Sequence, residues 1–350
     1  MTATVTEHIL AEHRGVVRKR RRIILALSVG AFIAFVISAM VGPVILSPGE
    51  VLRGLIAPNN LDDTARTVLW RLRLPMSVMA VLVGMSLAAA GAQMQTILNN
   101  PLAEPFTLGI SAAAAFGGAS AIVMGWAATG NAQTNLAAMA WLSAMLATGV
   151  ILVAAVVRGA SAETMILLGI GMVFLFQALL ALMQYRATTE SLQQIVFWSM
   201  GSMTRATWGG NAMIGLALLL SLPIMIAASW QLTALRLGDA RAQAMGVNVN
   251  RLRMVMLIVV ALLSATAVAF AGIIGFVGLV GPHVARIFVG EDQRYFLPAS
   301  MAAGALIMSG AHAASLLIIP GIAIPIGIIT ALLGVPCFML IILSRKRVIW

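Results

Sequence analysis

Apolar residues along this chain come in long unbroken runs, not in the alternation of a half-buried strand or the stripe of a surface helix. Ten runs can be read, at about 23–43, 75–97, 107–126, 136–157, 164–184, 208–230, 254–271, 273–289, 297–319 and 325–344. A helix needs about 20 residues to cross the hydrocarbon core of a bilayer. With no water there to satisfy the backbone, the runs must be helical. The pattern therefore predicts an all-α membrane protein of about ten transmembrane helices, with the last four runs crowded together. Three connections stand out: 44–74, polar enough to fold on the surface; 185–207, with a short amphipathic helix over Ser191 to Met203; and the polar, helix-compatible 231–253.

Composition agrees: 61% of the 350 residues are apolar, only 9% are charged and mean hydropathy is +1.01. A soluble domain carries about 25% charged residues, so lipid must be this chain's solvent. The net charge of +11 invites a nucleic-acid partner, but the basic residues sit in the connections and form no separate domain, so none is expected. With alternating spans and the N-terminus inside, sixteen of the 22 Lys and Arg fall on the cytoplasmic side, which predicts that both termini are cytoplasmic. The expected organisation is a basic N-terminal segment 1–22, one permease domain 23–344 and a cytoplasmic tail 345–350. Arg18 to Arg22 before an apolar run resemble a signal peptide. The run is too long and lacks a small-x-small cleavage site, so a retained first span is expected. The one cysteine, Cys337, excludes an internal disulfide and any multi-cysteine metal site.

Gly84 and Gly91 share a helix face, and Gly272, Gly275, Gly278 and Gly281 recur every third residue, which predicts close helix packing. Arg71-Leu72-Arg73 opens the second run and Arg251-Leu252-Arg253 the seventh, with Pro101 and Pro282 following at similar distances. These runs point in opposite directions, as inverted-repeat halves would.

What is missing narrows the mechanism. None of the eleven acids falls in mid-span, whereas ion-coupled transporters usually carry carboxylates there, although sodium sites can be built mostly from carbonyls. There is no nucleophile–base pair for a membrane enzyme. His283 and His312 are far apart in sequence, and a buried histidine satisfied by a hydroxyl or carbonyl is the simpler reading of His312. No phosphate-binding loop precedes either lysine. If ATP drives transport, a separate subunit must bind it.

Four blocks carry a resemblance. Arg73-Leu74-Pro75 leads through Gly84, Gly91–Gln95 and Asn100-Pro101-Leu102-Ala103-Glu104-Pro105 to Leu108–Ser111. The others are Leu237–Val247, Gly272–His283, and Pro325-Ile326-Gly327 through Gly334-Val335-Pro336. In order over roughly 70–345, they resemble the permeases of iron-siderophore, haem and cobalamin importers. The resemblance implies a type II ATP-binding-cassette importer of the bacterial inner membrane: two permeases, identical or paralogous, two ATPase subunits and a soluble binding protein outside. It implies neither cofactor nor enzymatic activity in this chain.

Within that resemblance, a coupling loop of about 232–250 would dock in the ATPase through Leu237, Gly238, Asp239, Ala240, Arg241, Met245, Gly246 and Val247. Gly246 would end the first of its two short helices. Asn100, Pro101 and Leu102, with Ser161 and Ala162 by a looser match, would form the cytoplasmic gate; the plainer reading of 100–105 is a rigid turn. Arg73, helped by Arg71 and Arg66, would meet acidic groups of the binding protein or simply anchor the outer interface. Where many relatives have a second arginine, this chain has Met76; His312–Ser315 and Ile324 also depart from the family pattern. The likeness leans to siderophore members, with haem or cobalamin as alternatives, an ion-coupled secondary transporter or channel as a second class, and a membrane enzyme or scaffold as a third. The 22 methionines suit a wall that holds a bulky chelate loosely.

Overall fold

A computed structural model describes residues 2–42, 44–319 and 321–344; the basic cluster Arg345, Lys346 and Arg347 of the expected tail lies outside the described residues. Described residues form fifteen α-helices: α1 Thr2–Met40, α2 Pro48–Ile56, α3 Asp63–Thr67, α4 Leu74–Ile97, α5 Ile110–Met124, α6 Ala132–Arg158, α7 Ala162–Arg186, α8 Thr189–Ser199, α9 Trp208–Ala227, α10 Ser229–Leu235, α11 Asp239–Ala244, α12 Val249–Ala271, α13 Val277–Val289, α14 Gln293–Leu317 and α15 Ile326–Ser344. No strand occurs among them. Every apolar run contains a helix. Seven helical stretches are long and apolar enough to cross a membrane: Arg14–Met40, Asp63–Ile97, α6, α7, α9, α12 and α14. Three apolar helices are shorter, at Ile110–Met124, Val277–Val289 and Ile326–Met339.

Local chemistry sets the boundaries. Side chains of Ser47, Asp62, Asn131, Ser161, Thr188, Thr207, Asn248 and Asp292 each accept a backbone N–H at a helix start, satisfying donors that otherwise lack partners. Connection 44–74 does fold, as α2, α3 and a π-helical turn Val68–Arg73 that runs into α4. The short helix expected from Ser191 is α8, which starts two residues earlier and stops at Ser199.

Two expectations need correction. The run 273–289 is not one helix: 272–276 is a non-helical break, with Gly272 at φ 79° and Phe276 at φ 69°, and α13 starts only at Val277. The four glycines therefore form no single helix stripe. Likewise 107–126 begins as a 3-10 turn, Pro105–Leu108, followed by Gly109 at φ 78°, so α5 is short.

α4 is the axis of the bundle. It packs against α14, α12, α13, α9 and α1, and its residues from Ser86 to Ile97 are all buried. Two glycines permit this. A Cβ on Gly84 would run into the backbone of Gly304 in α14, and one on Gly91 into the backbone of Gly278 in α13. On the far side, α5, α6 and α7 pack together, with α6 against α12. α7 leaves Leu167, Phe174, Leu175, Leu182 and Tyr185 exposed, and α15 leaves Leu332, Leu333 and Met339 exposed.

Gly84→Val and Gly91→Val should therefore each destabilise the fold by about 1–3 kcal/mol, the usual cost of overpacking. Gly171→Ala in α7, where nothing lies within 4 Å of an added Cβ, should be neutral or slightly stabilising. Melting of the purified chain in nanodiscs checks the contrast.

Candidate functional site

The residues assigned to gate and coupling loop converge at the end of the bundle where α4 finishes. α4 stops at a turn in which Asn99 takes φ 46° and Asn100 N–H reaches the Gln95 carbonyl at 3.1 Å. The Asn100 Oδ1 accepts the Leu102 N–H at 2.9 Å, and Pro101 and Pro105 prevent the helix from continuing. Ala103 is buried and Leu102 is exposed. The chain then folds back along α7, where Leu108 seats on Gly169 and Gly109 on Met172. The second expected gate segment, Ser161 and Ala162, follows buried Ala160; Ser161 is exposed, and its hydroxyl caps α7 by accepting the Thr164 N–H at 3.1 Å. Ala162 opens α7.

The expected coupling loop is a helix–turn–helix knob at the same end. α10 and α11 meet at Gly238, φ 97°, and Gly246, φ 85°, ends the second helix. The glycine joining the two helices is thus Gly238, correcting the expectation that Gly246 ends the first. Leu232, Leu235, Ala242, Val247 and Val249 anchor the knob in the core. Leu237 (54% exposed) and Met245 (43%) project outward beside exposed Ala240 and Arg241. Large apolar side chains held out on a small rigid element are suited to a partner's cleft.

Three arginines tie these parts together. Arg253, only 3% exposed, donates from Nε to the Ile97 carbonyl at 2.8 Å and from Nη1 to the Ala160 carbonyl at 3.2 Å. Its Nη1 and Nη2 also grip both oxygens of Asp239, at 2.8 and 2.9 Å. Arg236, just after α10, pairs with Glu291 and reaches the Gln95 carbonyl at 3.4 Å. Arg286 of α13 pairs with the same Glu291 at 2.9 Å and donates to Gln95 Oε1 at 2.7 Å. Of this set the sequence reading placed only Asp239 in the site. Arg253 was noticed as part of a repeat, and nothing in its local sequence signalled three partners spread over the chain.

Glu104 was read only as part of a block. Its carboxyl lies close enough to the Phe276 backbone N–H to feel it, and Pro105 lies against Gly278. The residue sits in a loop outside the spanning helices, and burial raises its pKa from about 4.5 to about 7, with the Phe276 N–H partly opposing the rise.

At the opposite end the three expected docking arginines differ. Arg71 is exposed. Arg66 is half-exposed and paired with Asp63 at 3.0 Å. Arg73 is 5% exposed, with its guanidinium filling the space where a side chain on Gly42 would stand. Arg73, expected to meet a docked protein, instead turns its guanidinium into the fold in this conformation, while Arg71, two residues earlier and so on the opposite helical face, is outside. His283 and His312 are both buried, and no group of three or more metal-ligating side chains occurs among the described residues.

A carboxyl whose pKa is higher in the folded state stabilises the fold most below its unfolded pKa, and that advantage disappears as pH rises through the folded value. Stability should thus fall between about pH 4.5 and 7. Glu104→Gln, which keeps an acceptor beside the Phe276 N–H, should flatten that slope in melting curves taken across this window.

Comparison with known proteins places this geometry. The model of the FecCD transport family matches residues 30–344. A Methanocaldococcus jannaschii protein named as an ABC transporter permease is 38% identical, covering 93% of this chain and 95% of its own. The Haemophilus influenzae molybdate import system permease is 33% identical over 93% of this chain and 96% of its own. The Bacillus subtilis Fe(3+)-citrate import system permease is 31% identical over 94% and 98%. Among solved structures, a chain from an inward-facing metal-chelate-type ABC transporter superposes with a TM-score of 0.83 at 32% identity, covering 93% of this chain and all of that one. With a match spanning nine-tenths of the sequence and an all-helical fold to fit it, this multi-pass membrane chain belongs to the FecCD transport family.

Proposed function

We propose that this chain is the permease subunit of an ATP-driven importer and that its cargo is a ferric siderophore or a closely similar metal chelate. One observation carries the reading. Arg253 of α12 bonds Asp239 of the projecting α10–Gly238–α11 knob together with the Ile97 and Ala160 carbonyls, which lie just before the two expected gate segments, in a chain whose sequence holds no phosphate-binding loop of its own. A knob wired to a gate has a use only if something outside the chain moves the knob.

In this reading the knob end faces the cytoplasm of a bacterial cell and sits in a cleft of an ATPase subunit. Leu237, Ala240, Arg241 and Met245 make the contact, while Gly238, Asp239, Gly246 and Val247 hold its shape. Asn100, Pro101, Leu102, Ser161 and Ala162 close the pathway until nucleotide-driven motion parts them. All ten apolar helices cross the inner membrane, the shorter α5, α13 and α15 included, and both termini are cytoplasmic. Arg71 and Arg66 at the outer end steer an acidic binding protein. The exposed apolar faces of α7 and α15 meet lipid or a second permease, identical or paralogous, across the pathway.

The relatives named for Fe(3+)-citrate and for molybdate differ in cargo, and the test should separate them. The permease, its ATPase and its binding protein are reconstituted in liposomes with labelled ferric siderophore, ferric citrate, haem, cobalamin or molybdate. Uptake of siderophore that needs ATP and persists when the proton gradient is collapsed supports the proposal. Uptake by the permease alone, or loss with the gradient while ATP is held constant, overturns it.

The exposed knob yields a sharper expectation. Leu237→Asp and Met245→Asp should change stability by no more than about 0.5 kcal/mol, as surface substitutions usually do. A buried apolar anchor at an interface contributes about 2 kcal/mol or more, so each should cut co-purified ATPase by about thirtyfold. Pull-down beside a melting curve reads both.

A further inference from the structure

We propose that Arg253 is the positioning residue that transmits movement of the knob to both gate turns at once. The inference rests on the permease reading above and adds a route for the force. The Asp239 end of α11 belongs to the knob, and its side chain is 48% exposed at the surface where a partner would press. Arg253 is almost wholly buried beneath it, in the second turn of α12. One guanidinium therefore holds three separate segments: the knob through both Asp239 oxygens, the end of α4 that leads into the Asn99–Pro105 turn through the Ile97 carbonyl, and the residue before Ser161 through the Ala160 carbonyl.

The chemistry makes this a strut. A planar guanidinium with two bonds to one carboxylate fixes orientation as well as distance. Its remaining N–H groups lie in the same plane, so tilting the carboxylate tilts the donors aimed at both carbonyls. A lysine at this place could keep the charge and one contact but could not hold three in fixed directions. A buried arginine that lost Asp239 would be left against two carbonyls only, a costly state. The three contacts therefore favour moving together over breaking one at a time.

The neighbouring ties do not duplicate this role. Arg236 and Arg286 converge on Glu291 and Gln95, joining α10 and the loop after α13 to the last turn of α4. Arg236 also reaches Asn99 Oδ1 at 3.5 Å, so it shares the tie between the knob and the first gate turn. What Arg253 adds is its bond to the Ala160 carbonyl.

Two measurements test the strut on Arg253→Lys and Asp239→Asn. In the first, hydrogen exchange is followed on the full chain in nanodiscs, with no transport required. The strut predicts about tenfold faster exchange over 98–104 and 160–164 in both variants, corresponding to about 1.4 kcal/mol of lost protection, while α5 and α14 are unchanged. In the second, the reconstituted transporter is assayed for cargo moved per ATP hydrolysed. The strut predicts a fall in that ratio of about tenfold for Arg253→Lys, whereas a merely structural role would lower uptake and hydrolysis together and leave the ratio intact. Unchanged exchange at both turns, or an unchanged ratio in both variants, overturns the proposal. If the wild-type chain proved not to be ATP-driven, the permease reading would fall and the exchange result would still decide whether the three segments are joined.

Discussion

Every interruption of a helix inside an apolar bundle exposes backbone donors and acceptors that water cannot reach, and those groups must find partners within the protein. The rest of this structure depends on how that constraint is met. α4 ends among core helices, and its last carbonyls, those of Gln95 and Ile97, take hydrogen bonds from Arg236 and Arg253. The 160–161 turn has its Ala160 carbonyl satisfied by the same Arg253. The break before α13 lies beside Glu104, whose carboxyl feels the Phe276 N–H. Nearer the other end, Asn211 serves the Pro75 carbonyl at 2.9 Å and Trp208 the Trp70 carbonyl at 3.0 Å. Charged side chains are scarce here, and those near a break are used to close it.

That use of charge explains why some features could be read from the sequence and others could not. Runs of apolar residues betray helices because lipid or core demands them, so α1, α4, α6, α7, α9, α12 and α14 were legible, as was the foldable connection 44–74. Hydropathy, however, does not register conformation. Ile273 to Val289 is apolar throughout, yet Gly272 and Phe276 take positive φ and delay the helix by four residues. The half-length helices α5 and α13 are invisible for the same reason. The glycine knob was legible as an element but not in detail, since Gly238 and Gly246 both take left-handed φ and the pattern alone does not say which one joins the helices.

Arginines were the harder case. Arg71-Leu72-Arg73 and Arg251-Leu252-Arg253 look alike, and in both the first arginine is exposed while the second is buried. An arginine at the edge of an apolar run ordinarily snorkels toward water, the plainer expectation for Arg73 beside the docking role that the family resemblance implies. A helical register that turns the second arginine inward overrides that tendency in both copies. Their environments then diverge. Arg253 finds a carboxylate and two carbonyls, whereas the space around Arg73 is shaped by Gly42, whose lack of a side chain leaves room for the guanidinium. The sequence echo is thus a structural likeness of placement, and the chemistry added to each copy differs.

Rigid and movable parts follow from the same packing. α4 cannot slide against α14 or α13 without lifting backbone off backbone at Gly84–Gly304 and Gly91–Gly278, and closely packed interiors resist gradual deformation. The turns at 98–109 and 272–276 share that interlock, with Gly169 against the backbone of Thr107 and Leu108 and Gly272 against the backbone of Trp198, whereas Gly159 and Gly238 beside the 160–161 and 236–238 turns have open space around them. Those last two turns are held by directional polar contacts and are the easier ones to move. Asp239, Ile97 and Ala160 share the Arg253 guanidinium and Arg236 reaches Asn99, so the knob, the end of α4 and the start of the 160–161 turn are tied together at one end of the bundle by directional polar contacts between side chains and backbone.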